Sequence, residues 1–176
     1  MVLKALPARS PKVTVTDAYL KPLAGVKVYA TATYGLKSLE TCVGVTNLAG
    51  ELTVPAVYPG GRYTFRAALL GYCPAGTKLP VVGSENWMDL VEMTMEPATS
   101  VVRGKVVDGN GKAVAGARVS TDFGPSALTD SRGEFALRQM PSSPTPVMAR
   151  KGSLKGSNVD AKGRIPQTPE MVIVVR

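Results

Sequence analysis

The chain alternates apolar and polar positions over many short segments. Val13 and Val15 are separated by threonine, and Tyr63, Phe65 and Ala67 alternate with arginine and threonine. A period of two over five to seven residues is typical of a strand with one buried face. Such segments recur at a spacing of about ten residues, with Gly, Pro, Asn and Asp between them. The pattern therefore predicts an all-β protein built from antiparallel sandwiches.

Two sequence phrases each occur twice, in the same order. The first phrase recurs 91 residues later and the second 83 residues later, which leaves eight extra residues between the phrases in the first copy. A repeat that keeps its order and varies in a connection indicates duplicated domains. We predict a leader, disordered or left from cloning, followed by two sandwiches, over residues 1–10, 11–97 and 98–176.

Both phrases contain turn residues. We expect Asp17 and Asp108 to lead from a strand into a tight hairpin, and Asp108-Gly-Asn-Gly111 is interpreted as a plain turn, since it lacks the carboxylates of a calcium cage. In the second phrase the side chain of Asn47 or Asp130 should cap backbone amides. The glycine that follows should adopt a conformation that a Cβ would resist.

These phrases resemble the carboxypeptidase regulatory-like domain, a transthyretin-like (prealbumin-like) fold. The second copy matches the front half of the family pattern at Gly104, Val106, Asp108, Gly111, Val114, Gly116, Ala117, Val119, Thr129, Asp130, Gly133, Phe135 and Leu137. The first copy matches at Asp17, Pro22, Leu23, Gly25, Val28, Tyr63, Phe65, Gly71 and Tyr72. The resemblance implies two seven-stranded antiparallel Greek-key sandwiches. It also implies an accessory or structural module that is often extracytoplasmic.

The charge distribution indicates a candidate site for anions. The chain carries 21 basic and 13 acidic residues and no histidine, and residues 98–176 hold most of the excess, with a net charge of +6. The segment 150–164 has five basic residues and one acidic residue, and the candidate anion-binding loop consists of Arg150, Lys151, Lys155, Lys162 and Arg164. The alternative is a solvated loop. The segment has no aromatic residue on which a base could stack, which argues against a nucleic-acid partner.

Aromatic residues are concentrated in the first copy. Tyr34, Tyr58, Tyr72 and Trp87 are candidates for a platform that stacks on sugars or docks a peptide. The alternative is that they are half-buried residues of a sandwich. The two cysteines, Cys42 and Cys73, either form one disulfide or remain two thiols, one of them buried.

The absence of histidine removes most enzymatic sites that related folds use. Zinc peptidase, histidine-dependent hydrolase, and Ser-His or Cys-His nucleophile sites cannot be built. Lys12 could start a lysine–asparagine isopeptide bond, but the strand at Tyr63–Ala67 has no acidic residue to shuttle the proton. We therefore predict no catalytic residues, no metal and no cofactor.

These observations predict a spacer or scaffold taken from a longer, secreted or surface bacterial protein, located outside the cytoplasm. Its partners would be other domains of the parent chain. The alternative is a carbohydrate- or peptide-binding module that uses the aromatics of the first domain. No membrane insertion is expected, since no apolar run approaches about 20 residues. Three prolines, Pro141, Pro144 and Pro146, predict that the pairing within residues 141–165 is shortened or displaced to a sheet edge.

Overall fold

The computed structural model describes residues 8–82, 89–159 and 171–176. All regular structure in these ranges is β, with fourteen strands in four sheets. Contacts divide the chain into two compact units, one made of Met1–Leu70 and Pro74–Glu96, the other of Gly71–Cys73 and Pro97–Arg176. The described residues include no helix long and apolar enough to cross a membrane.

The first unit contains one sheet of three described strands and one of four. The smaller sheet has the order β4-β1-β7 and the larger has the order β3-β2-β5-β6. The strands are β1 (Lys12–Asp17), β2 (Lys27–Tyr34), β3 (Lys37–Val45), β4 (Glu51–Thr53), β5 (Arg62–Ala68), β6 (Ala75–Val81) and β7 (Leu90–Met95).

The second unit repeats this arrangement strand by strand. Its sheets have the orders β11-β8-β14 and β10-β9-β12-β13, which are the orders of the first unit advanced by seven. The strands are β8 (Ser100–Asp108), β9 (Arg118–Ser120), β10 (Ser126–Leu128), β11 (Glu134–Met140), β12 (Met148–Lys151), β13 (Leu154–Ser157) and β14 (Met171–Val175).

The expectation of purely antiparallel pairing is wrong at one place in each unit. β1 pairs with β7 in parallel over six residues, and β14 pairs with β8 in parallel over five. The predicted hairpin after β1 also differs from the structure. The turn closes only one bridge, Thr16 to Pro22, and the chain then enters the other sheet, where β2 pairs with β3 and β5. Because the chain changes sheets there, the edge of β1 is left for β7.

The alternating pattern defines the core of each unit. Val13, Val15 and Phe65 are fully buried, and Tyr63 and Ala67 are buried beside them. In the second unit one hydrophobic cluster draws on both sheets, which makes the unit a β-sandwich. It consists of Val106, Ala117, Val119, Phe135, Leu137, Met140, Val147, Ala149, Ile173 and Val175.

The eight extra residues of the first copy do not form a longer loop. They lengthen the β2–β3 hairpin, whose strands have eight and nine residues, whereas β9 and β10 have three each. The strand after the three prolines is shortened as predicted, with four residues in β12 against seven in β5. It is not displaced to an edge, because the prolines precede β12, which pairs with both β9 and β13.

The predicted leader is partly structured. Arg9 exchanges two backbone hydrogen bonds with Val57, of 3.0 and 2.7 Å, so this residue joins the first unit. Residues 1–7 lie outside the described ranges.

Candidate functional site

The Asp and Asn residues of the repeated phrases hold turns. The Oδ1 atom of Asp17 accepts hydrogen bonds from the amides two and four residues later, at 2.8 and 3.0 Å, and Asp108 does so at 2.9 Å for both. Asn47 repeats the arrangement at 2.9 and 3.0 Å, and Asp130 at 2.8 and 2.9 Å. These oxygens are therefore engaged by the backbone of their own turns.

A buried threonine joins the two phrases in each unit. The Oγ1 atom of Thr46 accepts a hydrogen bond from the Val26 amide at 3.0 Å and donates one to the Leu23 carbonyl at 2.7 Å. Thr129 makes both bonds at the matching positions of the second unit, at 2.8 and 2.6 Å. The threonine thus satisfies two backbone groups where the chain crosses between sheets.

The glycine of the second phrase meets a close approach of the backbone. Gly50 and Gly133 have φ values of 71° and 76°. A Cβ at these residues would lie 2.5 Å from the Val15 carbonyl oxygen and 2.6 Å from the Val106 carbonyl oxygen. Both positions require glycine for steric as well as conformational reasons. The repeated motif is therefore a structural device in both copies.

The predicted aromatic platform is only partly assembled. Tyr34 and Tyr58 lie together in the first unit and are 44% and 62% exposed. Tyr72 belongs to the second unit and forms an isolated bridge with Pro97. Trp87 lies outside the described residues.

Tyr63, whose place in the alternating pattern predicts only a core position, links the two exposed tyrosines. Its hydroxyl lies 2.9 Å from the Tyr34 hydroxyl and accepts a hydrogen bond from the Tyr58 amide at 3.0 Å. The Tyr34 hydroxyl also donates to the Tyr58 carbonyl at 3.4 Å. The hydrogen bond with Tyr63, together with burial, raises the pKa of Tyr34 to about 12. The hydroxyls of Tyr34 and Tyr63 and the backbone of Tyr58 are thus engaged with one another.

On the outer face of the β3-β2-β5 sheet, Arg66 contacts an aromatic ring and a carboxylate. The Arg66 guanidinium lies 4.3 Å from the centre of the Tyr29 ring, and its Nε atom is 3.1 Å from Glu40 Oε1. Arg66 therefore has both an aromatic partner and an acidic partner.

The outer face of the corresponding sheet in the second unit differs. Arg150 of β12 pairs directly with Arg118 of β9 on one side and with Lys155 of β13 on the other. Residues directly opposite each other point to the same face, so the three cations form a row across three strands. We call this the cationic row. The sequence alone does not point to Arg118, because only the strand register places it beside the 150–164 segment.

A second row runs beside the cationic row. It contains Ser120, Met148 and Ser157, which are also in direct register, and Ser126 of β10 lies opposite Ser120. A shallow depression of about 750 Å³ lies over both rows. The Ser126 hydroxyl accepts a hydrogen bond of 3.4 Å from Arg118. Within the described residues, none of the three cations of the row is in an ion pair.

The remaining residues of the predicted anion-binding loop are placed differently. The Nζ atom of Lys151 donates a hydrogen bond of 3.3 Å to the Gly116 carbonyl, so this lysine is engaged locally. Lys162 and Arg164 lie outside the described residues. The basic segment is thus a strand hairpin over residues 148–157, with Arg150 and Lys155 on one face.

The two cysteines form no disulfide with each other. Cys42 is exposed on β3, whereas Cys73 is 8% exposed in the second unit. The Cys73 thiol donates a hydrogen bond of 3.2 Å to the Gln139 carbonyl. This corresponds to the alternative of two thiols, one of them buried.

Lys12 has an ordinary electrostatic partner. Its Nζ atom is 2.7 Å from Glu51 Oε1 in an exposed ion pair between β1 and β4. Among the described residues, no group of three or more Cys, Asp or Glu side chains is arranged to hold a metal ion.

Comparisons with known proteins gave only distant structural likeness. No family model matches the chain, and no curated protein matches it. A shaft pilin of Lactobacillus rhamnosus GG is 12% identical, with 96% of this chain and 97% of the pilin covered and a TM-score of 0.37. A minor pilin of Streptococcus agalactiae is 10% identical, with 95% of each chain covered and a TM-score of 0.33. Since these TM-scores lie below 0.5, neither likeness carries an inference about this chain.

Proposed function

We propose that the chain is a non-catalytic structural module that acts as a spacer or scaffold in a longer secreted or surface protein. Each of the two predicted domains, residues 11–97 and 98–176, would be a seven-stranded Greek-key sandwich of the transthyretin-like type. The other domains of the parent chain would be its partners, outside the cytoplasm.

The parallel pairing of the first and last strands carries this proposal. β1 and β7 run side by side in the same direction from Lys12 and Leu90 to Asp17 and Met95. The chain therefore enters the first unit at one end of the strand pair and leaves at the other. At about 3.3 Å per residue, the six paired residues span roughly 20 Å. A unit of this kind therefore separates the segments of the parent chain that precede and follow it.

The same geometry resists tension. A force applied along the chain pulls β1 and β7 in opposite directions, so the hydrogen bonds between them are loaded together in shear. β8 and β14 have the same parallel arrangement in the second unit. The repeated Asx turns and the buried threonines hydrogen-bond the connections that follow β1 and β8.

Single-molecule force spectroscopy tests the proposal. With handles at the two termini of the full chain and both cysteines replaced by serine, we expect abrupt unfolding at high force. The control has handles on Ser10→Cys and Leu90→Cys, which lie at the same end of the β1–β7 pair and load its bonds one after another. Unfolding forces no higher in the terminal geometry than in this control would contradict the spacer proposal.

The alternative of an aromatic binding module stays a prediction, and a retention assay separates it from the spacer. We expect no retention of the full chain on neutral polysaccharides or cell-wall material at high salt. Retention that survives high salt and is lost in Tyr34→Ala, Tyr58→Ala or Trp87→Ala would overturn the spacer proposal. Tyr19→Ala, at an exposed turn, is the matched control.

A further inference from the structure

The cationic row is an arrangement that strand pairing alone disfavours. Like charges directly opposite each other in an antiparallel sheet destabilise it. Here two such pairs, Arg118 with Arg150 and Arg150 with Lys155, are adjacent. Neither row contains an acidic residue that could compensate.

The first unit lacks this feature at the corresponding positions. Lys27 of β2 pairs with Ala68 of β5, in the place where Arg118 pairs with Arg150. Of the two arginines that β5 turns to that outer face, Arg66 is paired with Glu40 and Arg62 lies opposite Thr33, so no two cations are in direct register across β3, β2 and β5. The cationic row is therefore specific to the second unit and is not a requirement of the fold.

The spacing of the row indicates the kind of anion. Neighbouring strands lie about 4.8 Å apart, so the three cations are spread over roughly 10 Å along a line perpendicular to the strands. That spread suits a chain with repeated anionic groups better than a single small ion. Each guanidinium can donate two parallel hydrogen bonds to a carboxylate or a sulfate.

The second row, Ser120, Met148 and Ser157, indicates which groups the ligand carries besides its anionic ones. Ser120 and Ser157 offer hydroxyls, and Met148 between them offers an exposed apolar surface. Sugar rings present both hydroxyls and apolar C–H faces. Neither row contains an aromatic side chain, so a single-stranded nucleic acid would find no stacking platform. We propose that this face of the second unit binds a linear anionic glycan.

The binding test uses the full chain, with heparin as the sulfated probe, polygalacturonate as the carboxylated probe and dextran as the neutral probe. We expect salt-sensitive binding to one or both anionic glycans and none to dextran. The stronger of the two identifies the anionic group. Equal or tighter binding of single-stranded DNA, or no binding to either anionic glycan, would overturn the proposal.

Substitutions locate the site. Arg118→Thr, Arg150→Thr and Lys155→Thr should each raise Kd by about tenfold, the value of one charge-assisted hydrogen bond. Arg150→Lys keeps the positive charge but cannot donate two parallel hydrogen bonds, so its Kd should lie between those of the wild type and Arg150→Thr. The matched control is Arg103→Thr, which removes an exposed arginine from the outer face of β8. A control that weakens binding as much as the row variants would show a net-charge effect and would refute the site.

This proposal is independent of the spacer proposal. The row variants leave the β8–β14 pair intact, so their unfolding forces should match those of the wild type. Thermal melting and circular dichroism of each variant verify that lost binding does not reflect lost fold.

Discussion

At the scale of single residues, the polar side chains of the repeat stabilise the backbone. Thr46 and Thr129 each satisfy one buried amide and one buried or half-buried carbonyl at the crossing between sheets. An unsatisfied buried polar group costs more than the hydrogen bond itself contributes. These two threonines should therefore be among the most sensitive polar residues in the chain.

We expect Thr46→Val to lower the free energy of unfolding by about 1–3 kcal/mol, because the isosteric valine leaves two backbone groups unpaired. Thr129→Val should have a similar effect on the second unit. Urea denaturation measures both. The control is Thr53→Val, at an exposed position of β4, and a loss as large in the control would refute the role assigned to Thr46.

Tyr34 should titrate late and should couple stability to alkaline pH. Its folded-state pKa of about 12 lies above the ordinary tyrosine value near 10. The stabilisation from the neutral hydroxyl is therefore complete below pH 10, and it is lost as the pH rises from 10 through about 12. The tyrosinate absorbance of the native protein, followed against pH, should show a late phase that disappears in Tyr63→Phe and persists in Tyr19→Phe. A titration curve unchanged by Tyr63→Phe would contradict this coupling.

At the scale of elements, alternation predicted the strands well but could not predict their partners. The core positions Val13, Val15, Phe135 and Leu137 follow from the period of two. The pairing of β1 with β7 does not, because residues more than 70 positions apart meet only once the sheets form. The cationic row illustrates the same limit, since Arg118 and Arg150 become neighbours through strand register alone.

Removing one charge from the row should stabilise the sheet while it weakens anion binding. We expect Arg150→Thr to raise the free energy of unfolding by about 0.2–1 kcal/mol, because two like-charge pairs are relieved at once. Thermal and urea unfolding measure the change. Arg103→Thr removes an arginine that lies opposite Ala136, so it should have little effect. A loss of stability in Arg150→Thr would show that the row supports the fold.

At the scale of the whole molecule, two units of the same strand order have acquired different surfaces. The first unit pairs Arg66 with an acid and a tyrosine on its outer face, whereas the second unit presents three cations in one row. The cysteines differ in the same way, one exposed on a strand and the other buried against a carbonyl. The difference in charge arises on the outer faces, where the core pattern imposes no constraint.

The thiols provide a measurement of global unfolding. In the native protein we expect one thiol, Cys42, to react rapidly with Ellman's reagent, and Cys73 to react only as the protein unfolds. Cys42→Ser should abolish the rapid phase. Two rapid thiols, or none without a reductant, would contradict the structure, and the latter result would restore the disulfide alternative.

The sequence by itself determined the all-β class, the duplication of its phrases and the turn chemistry, because these depend on residue period and on local hydrogen bonds. Only the tertiary structure decided three features: the parallel pairing of the first and last strands of each unit, the exposure of Cys42 with the burial of Cys73, and the assembly of the cationic row. Each of these depends on which distant segments become neighbours, and that choice is made by the sheet register and by the crossing between sheets.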